Sequence, residues 1–237
     1  MKILHPIRMA FVFFALTSVI FAANAYSADN LWLDDIHQAI KIAQEEEKDL
    51  LLLYTGSDWC PPCKKLEAEV FSQDAFVNEA GSQFIFVMFD FPKKSELPDK
   101  TAQQNHQWAT KFGIEGYPTV VLMDRQQRPF GITGYREGGV ENYLAILSEL
   151  KQKRIRRDEA FAKAEALEGA ERATALDAGL SQLDPAIAEL YYDDMIQEIV
   201  QIDNEDELGL RTKWNAARDS ETRKVIMTDI VMISRLE

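Results

Sequence analysis

Cys60 and Cys63 are the only two cysteines in this chain of 237 residues, and two prolines separate them. Two thiols at this spacing can close a small disulfide ring, and such a pair beside a strand–helix pattern is typical of a thiol–disulfide redox site. Because the chain has no further cysteine, the pair cannot complete a four-thiolate zinc site, and no other cysteine of the chain competes for either thiol.

The residues around the pair indicate a different task for each thiol. The attacking species in disulfide exchange is a thiolate, and a helix N-terminus stabilises such an anion through its unpaired N–H groups. Pro61 suits the first helical position. We therefore expect Cys60 to begin a helix and attack, and Cys63 to be more buried and to resolve the mixed disulfide. Lys64 and Lys65 add positive charge, although at least one is expected to point into solvent.

Two other interpretations of the pair stay open. A static disulfide would only brace the helix start, but so small a ring removes little entropy from the unfolded chain. Half of a metal site shared with another protein would need further ligands. Beyond the first 25 residues the only histidines are His37 and His106, both in predicted helices. We expect neither a metal nor an organic cofactor.

The apolar pattern over residues 26–150 predicts strands alternating with helices. Leu50 to Tyr54 is a short, continuous apolar run, as expected for a strand buried on both faces. Further strands are predicted over 84–91, 119–123 and 130–135, and helices over about 35–47, after Cys60, over 101–112 and after Gly139. This order is typical of an α/β fold with a mixed sheet.

The composition changes at about Lys151. Strand-like runs vanish, proline almost disappears, and Ala, Glu, Leu and Asp dominate. Helices are predicted over 151–167, 170–183, 185–202, 205–217 and 221–236, and Asp184-Pro185 makes a clear helix start. We therefore predict a redox domain over residues 26–150 and a small all-α extension over residues 151–237.

Residues 1–25 are predicted to be a secretory signal peptide. A positive start with Lys2 and Arg8, an apolar run over 10–23 and the small residues of Ala23-Asn24-Ala25 form the pattern. The run is shorter than the roughly 20 apolar residues that span a bilayer, so an uncleaved anchor is less favoured. Removal of this segment leaves 24 Lys and Arg against 39 Asp and Glu, a net charge of −15. Such an acidic chain disfavours binding to nucleic acid and to anionic membranes.

Three segments of the sequence together resemble the thioredoxin superfamily. They are Trp59 to Lys64 after a buried strand, Gly116-Tyr117-Pro118-Thr119 before another strand, and the stretch from Gly134 to Gly139 before a helix. The resemblance covers roughly residues 31–150 and is strongest to exported thioredoxin-like proteins of bacteria. It implies a thioredoxin-like fold, with a mixed central sheet flanked by helices, and a periplasmic location.

The resemblance also implies roles for residues outside the cysteine pair. Pro118 should follow a cis peptide bond and face the cysteines, and the backbone of Tyr117 should pair with the extended chain of a substrate. Trp59 should shield the disulfide and offer an apolar surface to the substrate. The alternatives are an ordinary turn before a strand for Tyr117-Pro118 and simple core packing for Trp59.

One departure from the family pattern concerns the proton of the resolving cysteine. Many members carry a buried Asp or Glu on the strand before the motif, but the corresponding positions here are Leu53 and Tyr54. Met88 stands about where a lysine partner is often found. Asp58 is a weak substitute because it is predicted to lie in the loop. We therefore expect Cys63 to lose its proton to water or substrate, with slower resolution or a different balance between reduction and oxidation.

These observations predict an exported thiol–disulfide oxidoreductase acting on cysteine-containing exported proteins, with a reductase or isomerase favoured over an oxidase. A reductase or isomerase needs a membrane redox partner that supplies electrons. The alternative is a binding, assembly or metal-handling accessory protein whose helical extension is the interaction surface. A third hypothesis makes the extension a dimerisation device. The pattern of residues decides neither the oligomeric state nor the direction of electron flow.

Overall fold

Five strands form one mixed sheet in the computed structural model, which describes residues 31–218. They are β1 (Trp32–Leu33), β2 (Asp49–Thr55), β3 (Phe84–Asp90), β4 (Thr119–Met123) and β5 (Pro129–Gly134). Their order in space is β1-β3-β2-β4-β5. The first three strands are parallel, β4 is antiparallel to β2, and β5 is antiparallel to β4. The predicted mixed sheet is confirmed.

Nine helices accompany the sheet in the described part of the chain. They are α1 (Ile36–Glu45), α2 (Pro61–Leu66), α3 (Asp74–Gly81), α4 (Asp99–Lys111), α5 (Gly139–Glu165), α6 (Gly169–Leu180), α7 (Pro185–Tyr191), α8 (Asp193–Ile202) and α9 (Leu210–Arg218). A π-helical turn, Glu67–Phe71, continues α2. None of the helices within 31–218 is long and apolar enough to cross a membrane. The predicted signal peptide and the helix predicted over 221–236 lie outside the described residues.

Helices cover both faces of the sheet, and β2 is therefore buried over its whole length, as predicted. Successive side chains of a strand point to opposite faces. Leu50, Leu52 and Tyr54 belong to one core cluster with residues of α1 and α4. On the other face, aromatic rings of the π-helical turn, α3, β3 and α5 pack together through Phe71, Phe76, Phe86 and Tyr143.

Several predicted element boundaries differ from the structure. Residue 150 lies inside α5, so the two helices predicted on either side of it are one continuous helix of 27 residues. No glycine or proline interrupts this segment after Gly139, which explains its continuity. The helix predicted over 185–202 is two helices, because Tyr192 leaves the helical conformation. The pattern also missed β1 and α3, which are too short to show a clear period. The helix predicted after Cys60 does continue through Val70 and Phe71, but its second part is π-helical. The division into two domains stays a prediction.

A buried polar network joins the helical segment to the sheet. Arg157 of α5 is fully buried, and its guanidinium donates to Asp124 Oδ2 and to the Tyr192 hydroxyl, each at 2.6 Å. Asp124 lies in the turn between β4 and β5. The Tyr192 hydroxyl donates to the carbonyl of Pro129 at 2.9 Å. One guanidinium thus connects the sheet, α5 and the junction between α7 and α8.

This network lies at the end of the sheet that is farther from the cysteines. Met123, next to Asp124, pairs with Leu50 at the start of β2, whereas Cys60 follows the other end of that strand. Seven residues of strand span about 20 Å. The Arg157 network is therefore separated from the cysteine pair by most of the length of β2.

Replacing Arg157 by methionine should lower the free energy of unfolding by about 3 kcal/mol, because the buried Asp124 carboxylate would lose its contact with Arg157 and keep only that with Arg128. Lys153→Met is the matched control on the same helix, since Lys153 pairs with Glu149 at the surface, where an ion pair stabilises little. Urea unfolding followed by circular dichroism measures both variants. Equal losses would show that the buried network does not hold the two parts together.

Candidate active site

The helix that carries the cysteines begins where the sequence predicts. Cys60 is the N-cap of α2, and its Sγ accepts a hydrogen bond from the Cys63 N–H at 3.3 Å. Pro61 occupies the first helical position, where a missing N–H costs no intrahelical hydrogen bond. The loop after β2 thus delivers the sulfur predicted to attack to the positive end of a helix.

Cys60 and Cys63 are joined by a disulfide, and both are nearly enclosed. The exposed fraction is 3% for Cys60 and 5% for Cys63. The prediction that Cys63 is the more buried of the two is therefore wrong. One reason is that the Tyr117 backbone covers Cys60, with its carbonyl oxygen 3.6 Å from the Cys60 sulfur. A substrate must fit this surface closely to bring its own sulfur to Cys60.

The peptide bond between Tyr117 and Pro118 is cis, as the family resemblance implies. It precedes β4, whose first residue, Thr119, pairs with Tyr54 near the end of β2. This register brings the Tyr117–Pro118 loop beside the cysteines. The Tyr117 carbonyl therefore lies next to the predicted attacking sulfur.

Aromatic side chains form a continuous surface beside the pair. The Trp59 indole N–H donates to the carbonyl of Phe91 at 2.8 Å, and the Phe91 and Tyr117 rings stack with their centres 5.1 Å apart. Trp59 and Tyr117 meet edge to face. The Lys93 ammonium lies 3.6 Å from the centre of the Trp59 ring, which is a cation–π contact. All three aromatic residues keep partial exposure, so this surface can contact an apolar substrate segment.

Two carboxylates fix the loop between β2 and α2. Asp90, the last residue of β3, accepts hydrogen bonds from the Ser57 N–H at 2.9 Å and from its hydroxyl at 2.6 Å. Asp58 accepts hydrogen bonds from the N–H groups of Lys93 and Lys94. These bonds, that of Lys93 first, hold the pKa of Asp58 below its usual range. Asp58 is therefore engaged in loop structure and is poorly suited to the substitute role considered for it.

A cavity of about 220 Å³ lies on the inner side of Cys63. Leu53 of β2 and Met88 of β3 line it, so the strands are apolar at these two positions. Glu67 lines the same cavity, and desolvation raises the pKa of its carboxyl. The sequence pattern did not single out Glu67, because the strand is where the family pattern places the carboxylate.

Asp90 and Phe91 also escaped prediction. They end the second central strand and acquire their roles only because β3 pairs with β2 in a register that sets Asp90 opposite Thr55. The available signal was a carboxylate at the carboxyl end of a buried parallel strand, beside the redox loop. The register that pairs Asp90 with Thr55 cannot be predicted from a single sequence.

The two lysines after the cysteine pair and the two histidines of the described chain lie apart from any metal-binding arrangement. The Lys64 ammonium donates to the carbonyl of Asp58 at 3.0 Å, and the Lys65 ammonium lies 5.5 Å from the centre of the Tyr135 ring. His37 and His106 lie on α1 and α4, as predicted. Among residues 31–218, no group of three or more His, Cys, Asp and Glu is arranged to hold a metal ion.

About half of the chain is similar to known proteins. Residues 36–151 match the family of thioredoxin-like domains. The chain is 29% identical over 126 residues to the disulfide bond reductase DsbH of Chlamydia pneumoniae, a match that covers 53% of this chain and 76% of the relative. It is 30% identical over 121 residues to the thioredoxin-related protein DsbJ of the same species, covering 51% of this chain but only 34% of that longer relative.

A solved structure described as the DsbH oxidoreductase is also similar. The TM-score is 0.48 at 26% identity, and the match covers 50% of this chain and 82% of that one. The match to the family ends at residue 151, so helices α6 to α9 lie beyond it.

Gly134→Ala should slow disulfide exchange by about tenfold. A Cβ at this position would come within 2.8 Å of the Pro118 carbonyl oxygen, so the loop that carries Tyr117 would have to move relative to Cys60, and small misplacements at a reacting centre are costly. Gly81→Ala is the control, since its Cβ would meet nothing within 4 Å. The rate of reduction of a protein disulfide measures both. A Gly134→Ala variant as fast as the unmodified chain would show that the loop tolerates the shift.

Proposed function

We propose that this chain, a member of the thioredoxin superfamily and a thiol–disulfide oxidoreductase, works as a reductase of disulfides in exported proteins. The observation that favours reduction over oxidation is the small number of hydrogen-bond donors that the described residues place around the Cys60 sulfur. The 29% identity to a protein named as a disulfide bond reductase supports the same direction.

The donors matter because they set the balance between the dithiol and the disulfide. A pair whose attacking thiolate is strongly stabilised is easily reduced and is therefore a strong oxidant. Pro61 and Pro62 carry no N–H, so the Cys63 N–H is the first one of the helix that can donate to Cys60, and it does so at 3.3 Å. Lys64 is held by a backbone carbonyl. A thiolate with this modest stabilisation favours giving its electrons to a substrate.

The reductive cycle follows from the positions of Cys60 at the start of the helix and Cys63 three residues later. The Cys60 thiolate attacks a substrate disulfide, so a bond forms between Cys60 and one substrate sulfur while the second substrate sulfur leaves as a thiolate. The Cys63 thiolate then attacks the Cys60 sulfur and expels the first substrate sulfur. Two electrons pass to the substrate, and the chain is left with its own disulfide between Cys60 and Cys63.

The substrate is held beside the pair during this exchange. In this proposal the Tyr117 backbone hydrogen-bonds an extended substrate segment, and Trp59 and Tyr117 contact its apolar side chains. The partial exposure of both rings and the 3.6 Å between the Tyr117 carbonyl and the Cys60 sulfur support these roles. Because the surface is open, it suits protein segments better than a small, enclosed ligand.

The proposed location is the periplasm. The support is the signal-like pattern of residues 1–25, together with a redox pair that acts on disulfides, which form and persist in oxidising compartments. Each cycle oxidises the pair, so an electron donor must reduce it again. We infer a membrane redox partner that carries electrons from the cytoplasm and exchanges disulfides with Cys60.

Cys63→Ser should trap substrates, because a mixed disulfide with Cys60 then has no thiol to resolve it. Exported proteins should appear as covalent adducts that a strong reductant releases, and Cys60→Ser should give none. The double variant Cys60→Ser, Cys63→Ser is the matched control for both. The absence of adducts, together with full cellular function of the double variant, would favour the accessory-protein alternative over catalysis.

The direction of electron flow has a separate test. In growing cells the Cys60–Cys63 pair should be mostly reduced, because the donor has to keep a reductase in its dithiol form. Rapid acid quenching and alkylation with a mass-tagged thiol reagent measures the two forms, with the double serine variant as the unlabelled reference. A pair found mostly as the disulfide would overturn the reductase proposal while leaving the oxidoreductase class intact.

A further inference from the structure

Cys63 needs a proton acceptor that the strands beneath it do not provide. Leu53 and Met88 line the cavity on its inner side, and neither can take a proton. We propose that Glu67 accepts the Cys63 proton during resolution, from the same helical segment rather than from the sheet. The inference rests on the proposed function, because it concerns the second step of that exchange.

The placement of Glu67 comes from helical geometry. Cys63 and Glu67 are four residues apart, and the Glu67 N–H donates to the Cys63 carbonyl. Residues at this spacing lie on the same side of a helix. Both residues line one cavity of about 220 Å³. The chain changes from α-helical to π-helical at Glu67, a local widening that is frequent at functional sites.

The surroundings suit a proton acceptor. Within residues 31–218, no hydrogen bond or ion pair occupies the Glu67 carboxylate, whereas the neighbouring Glu69 accepts a hydrogen bond from the Tyr135 hydroxyl at 2.7 Å. The other charged group that lines the cavity is Lys64, whose ammonium is held by a backbone carbonyl. Partial desolvation beside the cavity raises the pKa of the Glu67 carboxyl above its ordinary value, which makes the carboxylate a better proton acceptor.

Water can complete the path between the two groups. The cavity is much larger than one water molecule and has polar atoms from Thr55 and Ser57 as well as from Glu67. Glu67 keeps solvent contact, so the proton it takes can pass on to bulk water. A bridging water therefore allows transfer without direct contact between the Cys63 sulfur and the carboxylate.

The step balances as follows. The Cys63 thiol gives its proton to the Glu67 carboxylate, and the resulting thiolate attacks the Cys60 sulfur of the mixed disulfide. The bond between Cys60 and Cys63 forms as the bond between Cys60 and the substrate breaks. The substrate sulfur leaves with the electron pair of the broken bond and takes a proton from water or from the Glu67 carboxyl group. The chain is oxidised by two electrons and the substrate is reduced by two.

The test uses the full chain, reduced and then mixed with an aromatic disulfide whose released thiol is coloured. Attack by Cys60 releases the first thiol, and resolution by Cys63 releases the second, so stopped-flow absorbance separates the two steps. In Glu67→Gln the second phase should be about tenfold slower near pH 6.5, whereas the first phase is unchanged. The deficit should shrink as pH rises above about 8.5, because hydroxide and free thiolate then replace the base.

Glu69→Gln is the matched control. It removes the same charge two residues away and keeps an oxygen that can accept from the Tyr135 hydroxyl, so both phases should keep the rates of the unmodified chain. Glu67→Asp should recover part of the lost rate, since it restores a carboxylate. A purely structural role would instead slow both phases and leave the pH profile of the second phase unchanged.

The outcome also separates this inference from the proposed function. Glu67→Gln with a second phase within twofold of the unmodified chain at every pH would overturn the role of Glu67, even if substrates are still trapped and reduced. If no protein substrate is reduced or trapped, the reductase proposal fails. The two phases with the small aromatic disulfide still decide whether Glu67 serves Cys63.

Discussion

The pairing of β2 with both of its neighbours is the constraint on which the site depends. β2 lies between β3 and β4, and its last residue, Thr55, leads into the redox loop. Pairing with β4 places Thr119, and therefore the cis Pro118 before it, at the same end of the sheet. Pairing with β3 sets Asp90 opposite Thr55. A slip of two residues in either register would separate the cysteines from the loop or from the carboxylate that fixes it.

The end of the sheet that is farther from the cysteines contacts the helices after α5. There a single buried guanidinium, that of Arg157, holds the β4–β5 turn and the helices after α5 together. Such a network stabilises only when all its members are present, because an unpaired buried charge is expensive. The long helix α5 spans the match to the family and the segment beyond it. The redox centre and the Arg157 network are thus separated by the length of the sheet.

The redox centre combines a common arrangement with two local departures. Two successive prolines leave few N–H groups for the Cys60 sulfur, which limits stabilisation of its thiolate. Leu53 of β2 lines the cavity beneath the pair, and the carboxylate that lines this cavity belongs to Glu67. Moving the acceptor from the sheet to the helix would keep proton transfer available while leaving the inner wall of the cavity apolar.

Local spacing along the chain was enough to predict several elements and the chemistry of the cysteine pair. Cys60 at the start of a helix, the apolar run of β2 and the mixed sheet all follow from patterns over a few residues, and the family resemblance supplied the cis bond before Pro118. The contacts between distant groups emerged only from the folded chain: Asp90 with the redox loop, and Arg157 with the β4–β5 turn. The folded chain also showed that the cavity beside Cys63 includes Glu67. The reason is physical. Propensity and periodicity act along the chain, whereas strand register, helix continuity and burial depend on contacts between segments far apart in sequence.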